Sequence, residues 1–376
     1  MLNLDFSEEQ EMLRSAVRDL LDDHCPLSVV REMEDDPIGY PKALWEQMGK
    51  LDLLGIMIPE AYGGSGMTML EGAVIYEELG RSLAPTPHFV SAVMSAAVIA
   101  SGASDDLKSQ WLPRIASGEA ILTPAWLEPD AGFGPLGVQT QAVADGAGFS
   151  ISGTKRHVLF AHAAERLVVL ARTGPKANQI DLFLVDPKAA GVKLTQQFSI
   201  ASDTQYQVDL DAVKVNSVDR IGTAGSGWSL WQAAMMDGLI LNAAYAGGAS
   251  QYALEITVQY AKDRHQFDKP LGAFQALAHY LADAQTEVDG AIQLVHEAAW
   301  ARSTGRSIAT LAPMSKLFAC KAFRDLTAMA QQIFGGIGFT VEFDIQLYFR
   351  RAKALQLSWW NDRYLEELIA SALLDS

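Results

Sequence analysis

The chain has 376 residues, 49% of them hydrophobic and 20% charged, and a formal net charge of −16. That length exceeds one compact core and predicts two or three domains, and the composition is that of a packed globular protein, not a disordered one. The acidic balance excludes the wrapping of nucleic acid, because a polyanion is repelled over most of the surface; a local positive site can still hold a small anion.

The opening residues, Met1-Leu-Asn-Leu-Asp-Phe-Ser-Glu-Glu, lack a basic n-region, so no signal peptide is expected. Apolar runs such as 89–100 are too short to span a bilayer, which predicts a cytoplasmic protein without a membrane span. Cys25 and Cys320 lack metal-ligand spacing and read as reduced thiols, with no metal site.

Residues 1–120 read as an N-terminal helical domain. Ser7-Glu-Glu-Gln10 has the form of a capping box, in which the Ser hydroxyl accepts from the third helical N–H and the Gln reaches back. Apolar residues follow at helical spacing through Met12, Val17, Leu20 and Leu21, and further helices are expected over about 42–52, 67–81, 87–102 and 104–116. Residues 121–225 change character. Short Val/Ile/Thr-rich alternating runs, at 138–143, 149–152, 167–170, 180–185 and 205–210, are separated by Asp145-Gly146, Ser152-Gly153 and Gly174-Pro175. Strands without helices between them predict a central antiparallel β-domain, and no G-x-G-x-x-G follows a strand. Residues 226–376 return to long apolar-periodic segments at 227–264, 272–303, 308–334 and 342–372, which predict a C-terminal four-helix bundle. The fold class is therefore a multidomain α+β protein of helical, sheet and helical parts.

Residue chemistry marks two segments near the end. Arg264 closes a helix where a guanidinium can pair bidentately with a diphosphate. Gln266 and Phe267 add one hydrogen-bonding and one apolar contact, and Gly335-Gly336 allow a ligand to approach backbone N–H groups closely. Taken singly, a helix-end charge is the better explanation of Arg264 and a helix cap the better explanation of Gly335.

Together with the helix–sheet–helix order they resemble a known family. Tyr260-Ala-Lys-Asp-Arg-His-Gln-Phe-Asp-Lys-Pro-Leu-Gly-Ala-Phe-Gln-Ala276 resembles the YAxxRxQFGxPIxxFQA signature of acyl-CoA dehydrogenases, and Gln332-Ile-Phe-Gly-Gly-Ile-Gly-Phe-Thr340 resembles their QxxGGxGF segment. Pro59-Glu-Ala-Tyr-Gly-Gly64, Glu77-Glu-Leu-Gly-Arg81 and Ile151-Ser-Gly-Thr-Lys155 are similar to further family motifs in the same order. The resemblance implies α,β-dehydrogenation of an acyl-CoA thioester, FAD as cofactor and an electron-transfer flavoprotein as electron acceptor. It also implies that Arg264, Gln266, Phe267, Gln275, Gln332, Gly335 and Gly336 bind the adenosine diphosphate half of FAD across a subunit interface.

The chain also departs from the pattern. Leu127 and Leu159 stand at flavin-facing positions that carry hydroxyls in the family, and Asp268 replaces a Gly near the cofactor's ribose and phosphates. Neither customary catalytic base is present: the two positions hold Trp359 and Gly238, with Asp362 and Asp237 as nearby carboxylates, and the catalytic residue stays unassigned. Three functions follow as expectations. The first is a companion subunit that completes the FAD site of a second acyl-CoA dehydrogenase-like chain. The second is a self-sufficient homotetrameric enzyme with a non-standard base, and the third a cofactor-free interaction protein on the same scaffold.

Overall fold

A computed structural model of the chain describes residues 6–375. In chain order its helices are α1 (Glu8–His24), α2 (Leu27–Glu32), α3 (Lys42–Lys50) and α4 (Met69–Arg81). A π-helical stretch (Phe89–Ser95) then runs into α5 (Ala96–Gly102), followed by α6 (Asp105–Ala116). The strands β1 (Leu122–Ala125), β2 (Gln141–Asp145), β3 (Gly148–Leu159), β4 (Arg166–Arg172), β5 (Ile180–Val185), β6 (Val192–Gln197), β7 (Gln205–Asn216) and β8 (Arg220–Ile221) come next. The chain ends with α7 (Gly227–Asp263), the short strands β9 (His265–Gln266) and β10 (Lys269–Pro270), α8 (Gln275–Ser303), α9 (Leu311–Phe334), α10 (Ile345–Leu357) and α11 (Asp362–Leu374).

These elements form two compact units. One comprises Glu32–Met67 and Pro85–Gly238 and contains the sheet. Its strand order is β6-β7-β3-β2-β4-β5-β8, with β1 beside β4. Pairing is antiparallel except where β1 and β2 meet β4. β1 enters from a helical segment and not from a hairpin, so no tight turn dictates its direction. Alternation along the strands turns Ile151, Val158, Leu167, Val169, Phe183, Val208 and Val213 inward, all essentially inaccessible. β5 is buried along its whole length, which is why it reads as a nearly unbroken apolar run.

The other unit comprises the residues up to Arg31, Thr68–Ala84 and everything from Leu239. The predicted capping box is present: Ser7 Oγ accepts from the Gln10 N–H at 3.3 Å, and Gln10 Oε1 accepts from the Ser7 N–H at 3.0 Å. α4 and α7 cross with their backbones nearly touching. A Cβ on Gly248 would lie 1.8 Å from the Glu77 carbonyl oxygen, and one on Gly80 would lie 2.0 Å from that of Tyr245, so only glycine permits this crossing.

The close crossing buries Glu77 and Glu78, and burial of carboxylates requires partners. Arg14 Nη1 lies 2.7 Å from Glu77 Oε2, His296 Nε2 lies 2.6 Å from Glu77 Oε1, and Arg18 grips Glu78 bidentately at 2.7 and 2.8 Å. A cavity of about 230 Å³ beside them is lined by Arg14, Arg18, Arg81 and His296 among others, but each arginine there is already committed to a carboxylate. Burial pushes the Glu77 carboxyl up, yet its bond to His296 and the charges of His296 and Arg14 outweigh this and hold it below the ordinary glutamate value. A depressed folded-state value stabilises the protein above the unfolded value of about 4.3, and the contribution is lost as pH falls through the folded value. Urea midpoints should therefore fall below about pH 4.3, and Glu77→Gln should flatten that slope. An unchanged slope in the variant would refute the assignment.

The last predicted helix differs from expectation. Residues 342–372 read as one periodic segment, whereas α10 stops at Leu357 and α11 begins at Asp362. Trp359 and Trp360 take left-handed backbone angles, φ 52° and 68°, which end a right-handed helix. Asn361 then caps α11, accepting from the Tyr364 N–H at 3.1 Å. Cys25 and Cys320 are both buried and free, and no group of residues suited to a metal ion occurs among the described residues. No described helix is long and apolar enough to cross a membrane.

Candidate cofactor and acyl site

Tyr260 stacks on Phe334 with ring centroids 4.2 Å apart and planes inclined by 15°. Tyr260 lies one turn before Arg264, and Phe334 directly precedes Gly335. The stack thus draws the 260–276 and 332–340 segments to one end of the helical unit. Arg264, Gln266, Phe267, Gln275, Gln332, Gly335 and Gly336 are all exposed there. The Arg264 guanidinium makes no hydrogen bond or ion pair with any described residue.

β9 and β10 form a hairpin whose two turn residues, Phe267 and Asp268, have φ 52° and 61°. This is the primed turn that suits a two-residue hairpin. Asp268, expected as a charge beside ribose and phosphate, has a local role as well, since Asp tolerates the left-handed region better than most residues. The turn holds Phe267 87% exposed. Gly335 adopts φ 66° and ψ −147°, a conformation closed to side chains, and caps α9 through its N–H on the Gln331 carbonyl. A Cβ at Gly335 or Gly336 would meet nothing within 4 Å, so the space over this backbone is open. An unpaired guanidinium beside open glycine backbone fits a diphosphate-bearing group such as the adenosine half of FAD. The sequence reading overlooked Gln331, which is buried with both side-chain amide atoms unpartnered among the described residues.

In the sheet unit, β1 and the residues after it run alongside the end of β3, with Leu127 on the first segment and Leu159 on the second. The Leu127 carbonyl accepts from the Arg156 N–H at 2.8 Å, and the Leu159 carbonyl accepts from the Thr123 hydroxyl at 2.7 Å. Both leucines are half-buried and offer no side-chain hydrogen bond. Glu128 is tied inward. Its carboxylate accepts from the Gln139 and Thr140 N–H groups at 3.0 Å and from Lys155 Nζ at 2.6 Å, with Lys155 fully buried. Burial pulls the Lys155 ammonium down, and Glu128 acts against that pull. The Glu128 and Lys155 motif residues therefore pin the loop after β1 to β3. Phe133, which the sequence reading did not consider, packs 6.0 Å from Trp126, and Trp126 packs 5.4 Å from Trp231.

Both positions at which the family resemblance places a base are closed by apolar groups. Gly238 is buried in α7, and a Cβ there would meet Met94 Sδ at 2.8 Å and the Phe89 ring at 3.1 Å, both from the π-helical stretch. Trp359 is 8% exposed. Asp237 is half-buried beside Gly238, and Asp362 opens α11, where one carboxylate oxygen accepts from Gln356 Nε2. A carboxylate in the first turn of a helix is stabilised by the helix dipole, which is an ordinary structural use.

Three family profiles match in sequence order: acyl-CoA dehydrogenase N-terminal domain over residues 7–119, middle domain over 124–213 and C-terminal domain over 225–374. The probable acyl-CoA dehydrogenase YngJ of Bacillus subtilis is 30% identical, with 99% of this chain and 100% of that protein covered. The chain belongs to the acyl-CoA dehydrogenase family. Another family relative, the caffeyl-CoA reductase-Etf complex subunit CarC of Acetobacterium woodii, is 27% identical over 98% of this chain and 99% of its own length. Among solved acyl-CoA dehydrogenase-like structures, a chain of the ChsE4-ChsE5 complex from Mycobacterium tuberculosis superposes with a TM-score of 0.90 at 26% identity, covering 100% of both chains.

Proposed function

We propose that this chain is the companion subunit of a hetero-oligomeric acyl-CoA dehydrogenase, completing the FAD site of a second dehydrogenase-like chain. One observation carries the reading: the adenosine-side residues around Arg264 and Gly335-Gly336 are exposed, with the Arg264 guanidinium unpaired among the described residues, while Gly238 and Trp359 leave no carboxylate at either base position. A chain that serves a neighbour's cofactor needs the first set and not the second. The existence of a relative named for a two-protein complex supports it.

The reaction is α,β-dehydrogenation of an acyl-CoA thioester. FAD supplies the acceptor for the hydrogen that leaves the β-carbon with its electron pair. The α-proton passes to a carboxylate of the partner chain, and the electrons leave to an electron-transfer flavoprotein. In this chain Arg264 and the Gly335-Gly336 backbone would hold the diphosphate, and Gln266, Phe267, Gln275 and Gln332 would hold the adenosine. The side chains of Leu127 and Leu159 offer no hydroxyl to a flavin ring of the chain's own, which leaves only backbone N–H groups to serve it.

The test is flavin content. The chain produced alone, incubated with excess FAD and passed through gel filtration, should retain well under one FAD per chain. A yellow homotetramer with one FAD per chain that bleaches on addition of acyl-CoA would establish the self-sufficient enzyme instead.

A further inference from the structure

Lys316 projects from α9 and is entirely inaccessible to solvent. A buried ammonium must use its three donors, and this one spends them on the carbonyls of Leu355 at 3.3 Å, Ser358 at 2.9 Å and Trp360 at 2.9 Å. Two of these acceptors, Leu355 and Ser358, belong to the end of α10, where carbonyls have lost their helical partners. The third lies in the Trp359-Trp360 turn. Two successive tryptophans at φ 52° and 68° occupy a region that L residues other than Gly, Asn and Asp rarely visit. The turn also leaves the buried Trp360 indole N–H unpartnered. Packing against Tyr364, with ring centroids 5.1 Å apart, supplies an apolar contact but no hydrogen bond to that N–H. Local forces therefore oppose the turn, and the surroundings must impose it.

We infer that Lys316 is a positioning residue that clamps the Trp359-Trp360 turn in its left-handed form and so sets the backbone on which any side chain at position 359 is presented. Position 359 corresponds by resemblance to one of the family's base positions, so the occupant of that place is held from another helix. Cys320, one turn further along α9, is buried and free, and the clamp does not require it. The inference goes beyond the companion-subunit reading and is independent of it, because its test needs neither a partner chain nor a cofactor.

The test is native-state amide exchange over residues 354–366 in a double-mutant cycle. Lys316→Met should raise exchange in that segment at least about ten-fold while the middle of α9 and α8 stay within about two-fold. In a Trp359→Gly background, where glycine enters the left-handed region without strain, Lys316→Met should raise it no more than about three-fold. Equal acceleration throughout the helical unit, or equal effects in the two backgrounds, would overturn the clamp. Should Lys316→Met prove insoluble, Trp359→Gly alone decides. With the three Lys316 bonds intact, exchange should stay within about two-fold of wild type, and a ten-fold rise would assign the turn to the Trp359 indole instead.

Discussion

Lys155→Met should cost about 3–5 kcal/mol of folding stability, the usual penalty for stranding one member of a buried ion pair. Lys155 and Glu128 have side-chain exposures of 0% and 5%, and their 2.6 Å contact is the only ion pair that either makes among the described residues. Methionine fills much of the same volume, so the loss is electrostatic and not a cavity. Glu128 would still accept from the Gln139 and Thr140 N–H groups, which keeps the cost below that of an isolated buried charge. Adding Glu128→Gln in the Lys155→Met background should recover part of the loss, because a neutral amide no longer needs a cation and one oxygen remains for the two N–H groups. Urea unfolding of the single and double variants measures both terms. A single-variant loss under about 1 kcal/mol would mean that water reaches the pair and that the loop after β1 is not anchored there.

Arg264→Ala should weaken FAD retention by the assembled protein by about 1.5–3 kcal/mol, roughly ten- to 150-fold, the range for a hydrogen bond to a charged group. Arg264 is exposed, and no ion pair within the described residues competes for it, so the arginine reaches a ligand without breaking anything. For the same reason folding stability should change little, which separates lost binding from lost structure. Lys at this position should recover only part, since an ammonium cannot reproduce the bidentate fork. Flavin absorbance after gel filtration, with circular dichroism as a check on folding, reads both effects. Unchanged flavin content would remove Arg264 from the cofactor site.

Much of the fold was legible without coordinates. α1 with its capping box, the runs that form β2, β3, β4, β5 and β7, and the long helices α7, α8 and α9 follow from periodicity and end signals that act within a few residues, whereas β1, β6 and β8 were not read from the sequence. Missing groups were equally legible: no fold can supply a carboxylate at Gly238 or Trp359, or a hydroxyl at Leu127 or Leu159. What escaped the sequence reading were the roles set by distant partners. Nothing near Glu128 in the chain marks its inward, anchoring use, which Lys155 and the 139–140 backbone give it. Asp268 was taken as a charge near the cofactor, but its role in a two-residue turn appears only once β9 and β10 pair.

By itself, then, the sequence determined the helix–sheet–helix order, the family motifs and that Gly238 and Trp359 carry no carboxylate, because residue identity and local periodicity carry that information. The tertiary structure alone decided that the motifs of Arg264 and Gly335 meet, through the Tyr260–Phe334 stack. It also decided that Gly238 is closed by Phe89 and Met94, and that the final helical segment breaks at Trp359-Trp360. Each of these rests on a contact between residues far apart in the chain. Apolar periodicity continues unbroken across the tryptophan pair, and nothing local marks a left-handed turn that hydrogen bonds from Lys316 on another helix can hold.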